Sequence, residues 1–408
     1  MKNISFNSEN FKGWSLVIAA FAVVFAFSTA DHAISPMADI FKTAFAISQE
    51  RSLWLISSCT VGILLGLFSG PVLIKAYKPG PISYISLLMM LTGITGFIAS
   101  FNFLLALGCR LIFGLGAGLV STVLWWLAYE SISKKFYTPM ITVLTASRPM
   151  AVAAGVPLIL SSSVVLGWRI SFALIGGILV LSMLVFIWAL PLYRGNIIKL
   201  NFTGAINTYI DLFKTPFVKP FFIAMFINRL CYFGFYSMLG IWFIKKYGFT
   251  AAALSKPLMI IGICETAINF IVPILMKYGQ RKLFLIAVFT NIVFFTAFIL
   301  GILPVWATIL LIGLFAMTDR IYNMLLLIFI PNIFNQFENK TVIGSMVTLV
   351  SWASLAFISY LEGALLDKIG MTAFAVLLII ALTAGILLYI NTLYRTVFCM
   401  QNSGKIRA

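Results

Sequence analysis

Residues 102–130 read NFLLALGCRLIFGLGAGLVSTVLWWLAYE. Between Asn102 and Glu130 the one charge is Arg110, and the hydroxyls are those of Ser121, Thr122 and Tyr129. A helix rises about 1.5 Å per residue, so about 20 apolar residues cross about 30 Å of hydrocarbon. The stretch therefore reads as a membrane-spanning helix with an arginine inside it, a residue that costs about 3 kcal/mol to insert and calls for a partner.

Runs of the same kind recur along the whole chain, at roughly 14–36, 53–75, 81–100, 102–130, 139–163, 168–191, 218–244, 252–276, 283–303, 305–333, 341–366 and 371–394. The expected fold is an all-α membrane protein with twelve transmembrane helices. The composition agrees. Of 408 residues 62% are hydrophobic and 10% charged, with a mean hydropathy of +1.07, against about 25% charged in soluble domains. The 28 Lys and Arg against 11 Asp and Glu give a net charge of +17, which in a soluble protein would suggest nucleic acid. Here the basic residues sort by loop. With the N-terminus inside, the outer segments hold only Lys42, Arg51, Arg169, Lys245, Lys246, Lys256 and Lys368, and most of the rest lie inside, as the positive-inside rule requires. Both termini are expected in the cytoplasm of a cell whose inner (plasma) membrane holds the protein, and no nucleic-acid partner is expected. The first run has no small-residue cleavage site after it and is expected to be retained.

The stretch from Tyr193 to Lys219 carries Arg194, Lys199, Lys214 and Lys219 and divides the spans six and six. It predicts an N-terminal half at 1–192, a cytoplasmic linker at 193–217 and a C-terminal half at 218–408. Two echoes support a repeat. Ile74-Lys75-Ala76-Tyr77-Lys78 is matched by Met276-Lys277-Tyr278 and its neighbours, and Gly167-Trp168-Arg169 by Gly370-Met371-Thr372. Two pseudo-symmetric six-helix halves would place a solute site between them near the bilayer midplane.

Arg110-Leu-Ile-Phe113-Gly114-Leu-Gly116-Ala-Gly118 resembles the Arg-x-x-x-Gly signature of the major facilitator superfamily, with Phe113 where Gln is usual. Ala30-Asp31-His32-Ala33-Ile34-Ser35-Pro36 resembles the first-helix motif of its drug and metabolite proton-antiporter branch, and Trp54-Leu-Ile-Ser-Ser and Gly167-Trp168-Arg169 fit the same branch. The loop motif after the second span is degenerate at Gly70–Tyr77, and an intact version stands at Gly363-Ala-Leu365-Leu-Asp367-Lys368-Ile-Gly370. The fifth-helix antiporter motif is reduced to Ala151-x-x-x-Gly155-Val156-Pro157. The resemblance implies that spans one, four, seven and ten line a central cavity.

Those spans carry most of the buried ionisable groups. Asp31 and Arg110 are expected at similar depth in the outer half, able to pair. Arg148, Arg229, Glu265, Asp319 and Arg320 cluster toward mid-depth. Arg229, Tyr232, Tyr236 and Gly240 share one face of span seven at helical spacing; Asp319, Tyr322 and Asn323 share a face of span ten, and Glu265 lies one turn from Asn269. Asp31, Glu265 and Asp319 are the candidate proton carriers, the unpaired one being favoured. His32 has a suitable intrinsic pKa but points about 100° away from Asp31, as relay or bystander. Arg110, Arg148, Arg229, Tyr232, Tyr236, Arg320, Tyr322 and Asn323 are the candidate solute-binding residues. The other reading is that these charges form salt bridges that hold helices together. Trp125, Trp126 and Tyr129 are expected in an interfacial belt, the glycines of span four in helix packing, and the 38 phenylalanines as lipid-facing bulk.

Five scattered cysteines and one histidine leave no disulfide framework and no metal site, and no phosphate-binding loop points to a nucleotide-driven pump. No cofactor is expected. The expected protein is a monomeric, non-enzymatic, proton-coupled secondary transporter of a small molecule, exporting drug-like compounds or metabolites. The alternative is an uptake symporter for a small anionic or zwitterionic nutrient, and a remoter one is a non-transporting receptor.

Overall fold

The structure, a computed structural model, describes residues 2–190, 202–214, 218–249, 255–300, 303–334 and 340–393. The ends of expected spans at 191, 252–254, 301–302 and 394 and parts of the linker, 193–201 and 215–217, lie outside the described residues. The chain divides into two compact units, Met1–Ala205 and Ile206–Ala408.

In the first unit α1 (Lys2–His32), α3 (Gln49–Tyr77), α4 (Pro79–Ala99), α5 (Phe103–Trp126) and α8 (Trp168–Ala189) are spans. The fifth run is one span in two helices, α6 (Lys134–Met150) and α7 (Val156–Leu166), joined by a π-helical turn at Ala151–Gly155; a second such turn, Leu127–Ser131, ends α5. The second unit contains α10 (Val218–Tyr247), α11 (Ser255–Leu275), α12 (Gln280–Leu300), α13 (Val305–Ile333), α14 (Lys340–Ile369) and α15 (Met371–Leu393). No strand occurs among the described residues. Among the described residues eleven helices are long and apolar enough to cross a membrane, and the shorter apolar stretch Lys282–Ala297 in α12 corresponds to the ninth run.

Two helices were not anticipated. The first span ends at His32 rather than residue 36, and the chain turns into the short α2 (Ala38–Phe45). Its Phe41 is fully buried with ring centroids 5.6, 5.3 and 6.2 Å from Phe97, Trp168 and Phe172. Inside the expected linker, α9 (Phe202–Lys214) buries Tyr209 and Leu212.

The glycines of α5 are packing residues, as expected. A Cβ on Gly114 would strike the backbone of Cys59, and one on Gly118 the backbone of Ile63, so α3 and α5 approach at backbone distance, the close packing that small residues permit in lipid. The aromatic expectation is corrected. Phe41, Phe97, Phe113, Phe172 and Phe186 in one unit and Phe221, Phe235, Phe243, Phe284 and Phe295 in the other are fully buried. Trp125 and Trp126 are buried too, Trp125 stacked on Tyr129 at 5.3 Å and 9°. In a chain apolar on every face, composition does not say which rings face neighbouring helices and which face lipid.

The repeat is written in the backbone. Lys78 (φ 68°) and Gly279 (φ 109°) stand between the second and third helical spans of each unit, and Gly167 (φ 82°) and Gly370 (φ 79°) between the last two. A residue with positive φ lets one helix end and an antiparallel one begin at once, a conformation glycine adopts most readily. Lys78 does this without being glycine, with φ 68° and ψ 156°, at a cost of about 1–3 kcal/mol.

Candidate functional site

Each unit buries ion pairs of its own. In the first, Asp31 is the penultimate residue of α1 and Arg110 lies in the first third of α5. Arg110 Nη2 donates to Asp31 Oδ1 at 2.7 Å, Nη1 to the carbonyl of Ala30 at 3.4 Å and Nε to the carbonyl of Leu55 at 3.3 Å. One guanidinium thus ties α1, α3 and α5. The carbonyls at the end of α1 are among those a helix cannot satisfy internally, and a carboxylate at a helix C-terminus is opposed by the dipole; Arg110 answers both. Its guanidinium also stands over the rings of Phe97 and Phe113, at 5.8 and 5.5 Å. The residue that replaces the expected Gln is therefore an aromatic support for the arginine.

His32 is half-buried and its Nδ1 donates to the carbonyl of Ser28 at 2.7 Å, one turn back on its own helix. Arg148 is half-buried on α6, one turn before the π-helical turn at Ala151–Gly155. It lies in the first unit, and Arg229 and Arg320 lie in the second.

The second unit gathers the rest. Arg229 (α10), Glu265 (α11), Asp319 and Arg320 (α13) all lie in the middle third of their helices. Arg229 Nη2 contacts Asp319 Oδ1 at 2.6 Å, with side-chain exposures of 5% and 1%. Tyr322 donates to the same oxygen at 2.9 Å, and Asn323 Nδ2 to Oδ2 at 3.1 Å. Glu265 is held differently. Tyr232 and Tyr236 both donate to its Oε1, the latter at 2.6 Å, while Oε2 faces Arg320 Nη2 at 3.3 Å. Arg320 Nη2 also donates to the Tyr232 hydroxyl at 2.9 Å, and both arginines stack on the Tyr232 ring, at 4.7 and 5.2 Å. Tyr232 therefore joins the two ion pairs into one network.

Gly240 of the expected stripe lies outside the described side chains, and its other three members divide between partners: Arg229 serves Asp319, and Tyr232 and Tyr236 serve Glu265. None of the three candidate carboxylates is unpaired. Asn228 was missed. It is fully buried and its Oδ1 accepts from Arg229 Nε at 3.2 Å and Nη2 at 2.8 Å. A periodicity search passes over it because adjacent residues point about 100° apart on a helix; its one signal is an amide in an apolar run. Asn269 is also buried, and its Nδ2 donates to the carbonyl of Glu265 at 2.6 Å. Among the described residues no group of three or more His, Cys, Asp or Glu is placed to hold a metal ion.

Charge in this network is balanced, but hydrogen bonding is not. Among the described residues the buried Nδ2 of Asn228, Nε of Arg320, Oδ1 of Asn269 and hydroxyl of Tyr389 have no partner. A buried polar atom left unpaired costs about 1–3 kcal/mol, and each such atom in a native fold asks for an explanation.

Residues 16–318 match the sequence family described as Major Facilitator Superfamily. The chain belongs to the major facilitator superfamily. Over 260 residues it is 23% identical to YceJ of Bacillus subtilis (strain 168), an uncharacterized transporter of this superfamily; the match spans 60% of this chain and 62% of that relative. Among solved structures it is similar to the proton:xylose symporter XylE, with a TM-score of 0.71 and 15% identity over 95% of each chain. It is also similar to the superfamily transporter FucP in its outward conformation, with a TM-score of 0.75 and 15% identity over 93% of this chain and 98% of that one. At these identities the likeness is one of fold. A superfamily of small-molecule transporters, with no enzyme among these relatives, places the buried charges in a multi-pass membrane protein.

Proposed function

We propose that the chain is a proton-coupled secondary transporter of small molecules, held in a cell inner membrane with both termini cytoplasmic, and that Glu265 is the group that carries the proton. The halves at 1–192 and 218–408, joined by the linker at 193–217, alternate in exposing the solute. One observation carries the choice of Glu265. Its contact with arginine is the longest of the three buried pairs, 3.3 Å against 2.6 and 2.7 Å, and Arg320 is the most accessible member of the three pairs, at 21% against 6% or less for the others. A coupling group must gain and lose its proton in turn, and the loosest pair obstructs that least. Arg229 and Asp319, with Tyr322 and Asn323, hold the neighbouring helices in register for it. Asp31 and Arg110 tie α1, α3 and α5.

Two directions follow from different features. The motifs around Asp31 and Arg110 support export of drug-like compounds or metabolites in exchange for protons, the antiporter-branch reading. The buried arginines support uptake of a small anionic or zwitterionic nutrient together with protons. XylE is a symporter, but its likeness carries the fold and not the sugar.

The test is a pH-sensitive dye inside proteoliposomes that hold the purified protein. Solute added outside is expected to change the internal pH, downward for symport and upward for exchange. Ligand binding with no solute-driven pH change and no gradient-driven flux would instead identify a receptor.

A further inference from the structure

Resting on the assignment of the proton to Glu265, we infer that the transported solute bears a carboxylate, and that Arg320 receives it when Glu265 is protonated. The first support is the inventory of donors. Oε1 of Glu265 already accepts from Tyr232 and Tyr236, and Asp319 accepts from Arg229, Tyr322 and Asn323. Both acids are enclosed. Nε of Arg320 and Nδ2 of Asn228 are left over, buried donors without acceptors. Asn228 is itself fully buried, so its amide has no recourse to bulk water. One buried acceptor, Oδ1 of Asn269, is also unpaired among the described residues, but it lies on the helix of Glu265, whereas the two orphaned donors belong to Arg320 itself and to the residue that holds Arg229. Surplus donors at the arginines fit a ligand rich in acceptors.

The second support is which partner is accessible. Arg320 is 21% exposed while Glu265 is 6% exposed. The guanidinium is the more exposed member of the pair, and the carboxylate carries both tyrosine hydroxyls on Oε1. The Nε of Arg320 is buried as well as unpaired, so the two-point match with a carboxylate forms once Oε2 of Glu265 is protonated and no longer holds the guanidinium.

The third support is charge balance. Glu265 is faced by Tyr232 and Tyr236 from α10 and by Arg320 from α13, with Asp319 beside Arg320 and already held by Arg229; Asn269 and Cys264 flank it on its own helix. A proton arriving at Oε2 neutralises the counter-ion of Arg320 and leaves that cation uncompensated in a low-dielectric setting, where it is costly. A bound carboxylate restores neutrality. Proton and anion therefore stabilise each other's binding, and by linkage each raises the affinity for the other. That is symport. An organic cation would have to compete with the proton for a carboxylate that Arg320 and two tyrosines enclose.

The experiment uses the full-length protein in detergent and reads thermal stabilisation by a panel of probes. The probes are aliphatic and aromatic monocarboxylates of two to ten carbons, each beside its neutral amide and its amine analogue. Carboxylates are expected to stabilise the wild type where their amides and amines do not. Their apparent affinity is expected to strengthen as pH falls, by up to about tenfold per pH unit, the limit for one linked proton. Glu265→Gln, which keeps the shape of the side chain without its charge, is expected to bind the same carboxylate with affinity independent of pH. The charge-neutral pair Glu265→Gln with Arg320→Gln is expected to fold and to lose carboxylate binding. The inference is overturned if amines stabilise and carboxylates do not, if no carboxylate stabilises at any pH, or if Glu265→Gln keeps the pH dependence of the wild type. Proton release from the wild type on adding an amine would overturn the carboxylate while leaving proton coupling in place. Carboxylate binding with no proton uptake would overturn the coupling reading itself.

Discussion

In the first unit Arg110 donates to two backbone carbonyls, of Ala30 and Leu55, and to one oxygen of Asp31; in the second, Arg229 and Arg320 are engaged by the side chains of Asn228, Asp319, Tyr322, Tyr232 and Glu265. Backbone carbonyls do not titrate and do not leave, so an arginine that binds them fixes helices to one another. Side-chain partners can rotate, change protonation or accept a ligand. The same residue type, buried in each unit at similar insertion cost, therefore supports a clamp in one place and an adjustable network in the other. The two arginines differ in the same sense: Nε of Arg320 is unsatisfied among the described residues, while Nε, Nη1 and Nη2 of Arg110 all have partners.

The largest effect is expected where the clamp is cut. Arg110→Ala leaves the Asp31 carboxylate buried alone, an effect of about 3–5 kcal/mol, and should appear as loss of folded protein from the membrane fraction. Asp31→Asn combined with Arg110→Gln should restore much of that protein and its transport. A double variant that folds but does not transport would break the comparison, because it would give the first pair a role beyond holding helices.

Next come the residues that brace the adjustable network. Singly, each substitution would leave a buried charge alone, as at Arg110, so the charge-neutral pairs Arg229→Gln with Asp319→Asn and Arg229→Met with Asp319→Leu are the ones to measure, each expected to fold and to abolish transport in proteoliposomes. Wild-type rates in both would remove them from the site. Tyr236→Phe removes one of the two hydroxyls on Glu265, a bond worth about 1.5–3 kcal/mol when the acceptor is charged, and should slow transport by roughly tenfold, with a smaller drop in melting temperature than Arg110→Ala gives. The smallest effect is expected at Phe113. Phe113→Leu removes one ring face from Arg110, about 0.5–2 kcal/mol, and should lower the melting temperature by a few degrees at unchanged transport; lost transport at full stability would move Arg110 from the clamp into the solute site.

Much of this was legible in the sequence, and the exceptions have physical causes. Apolar runs and their length gave the spans, because lipid demands about 20 residues whatever the tertiary structure. The echo of Gly167 in Gly370 gave the repeat, because a tight connection between antiparallel helices needs a positive φ at a fixed place. The stripe of Arg229, Tyr232 and Tyr236 gave a polar wall, but not its division between Asp319 and Glu265, since which residue of another helix lies opposite is set by packing. Asn228 escaped because it lies off the stripe. The buried phenylalanines and the short α2 escaped for a shared reason: when nearly every face of a helix is apolar, hydrophobicity no longer marks the inside.

The division between clamp and network meets its most direct test at Glu265. Proteoliposomes with an internal pH dye, carrying the wild type or Glu265→Gln, would receive the most strongly stabilising probe of the panel. The wild type is expected to move protons with the solute, and Glu265→Gln to exchange that solute between the two sides with no net proton movement. Solute-driven proton movement in Glu265→Gln at the wild-type rate would contradict the account and place the coupling group elsewhere in the chain.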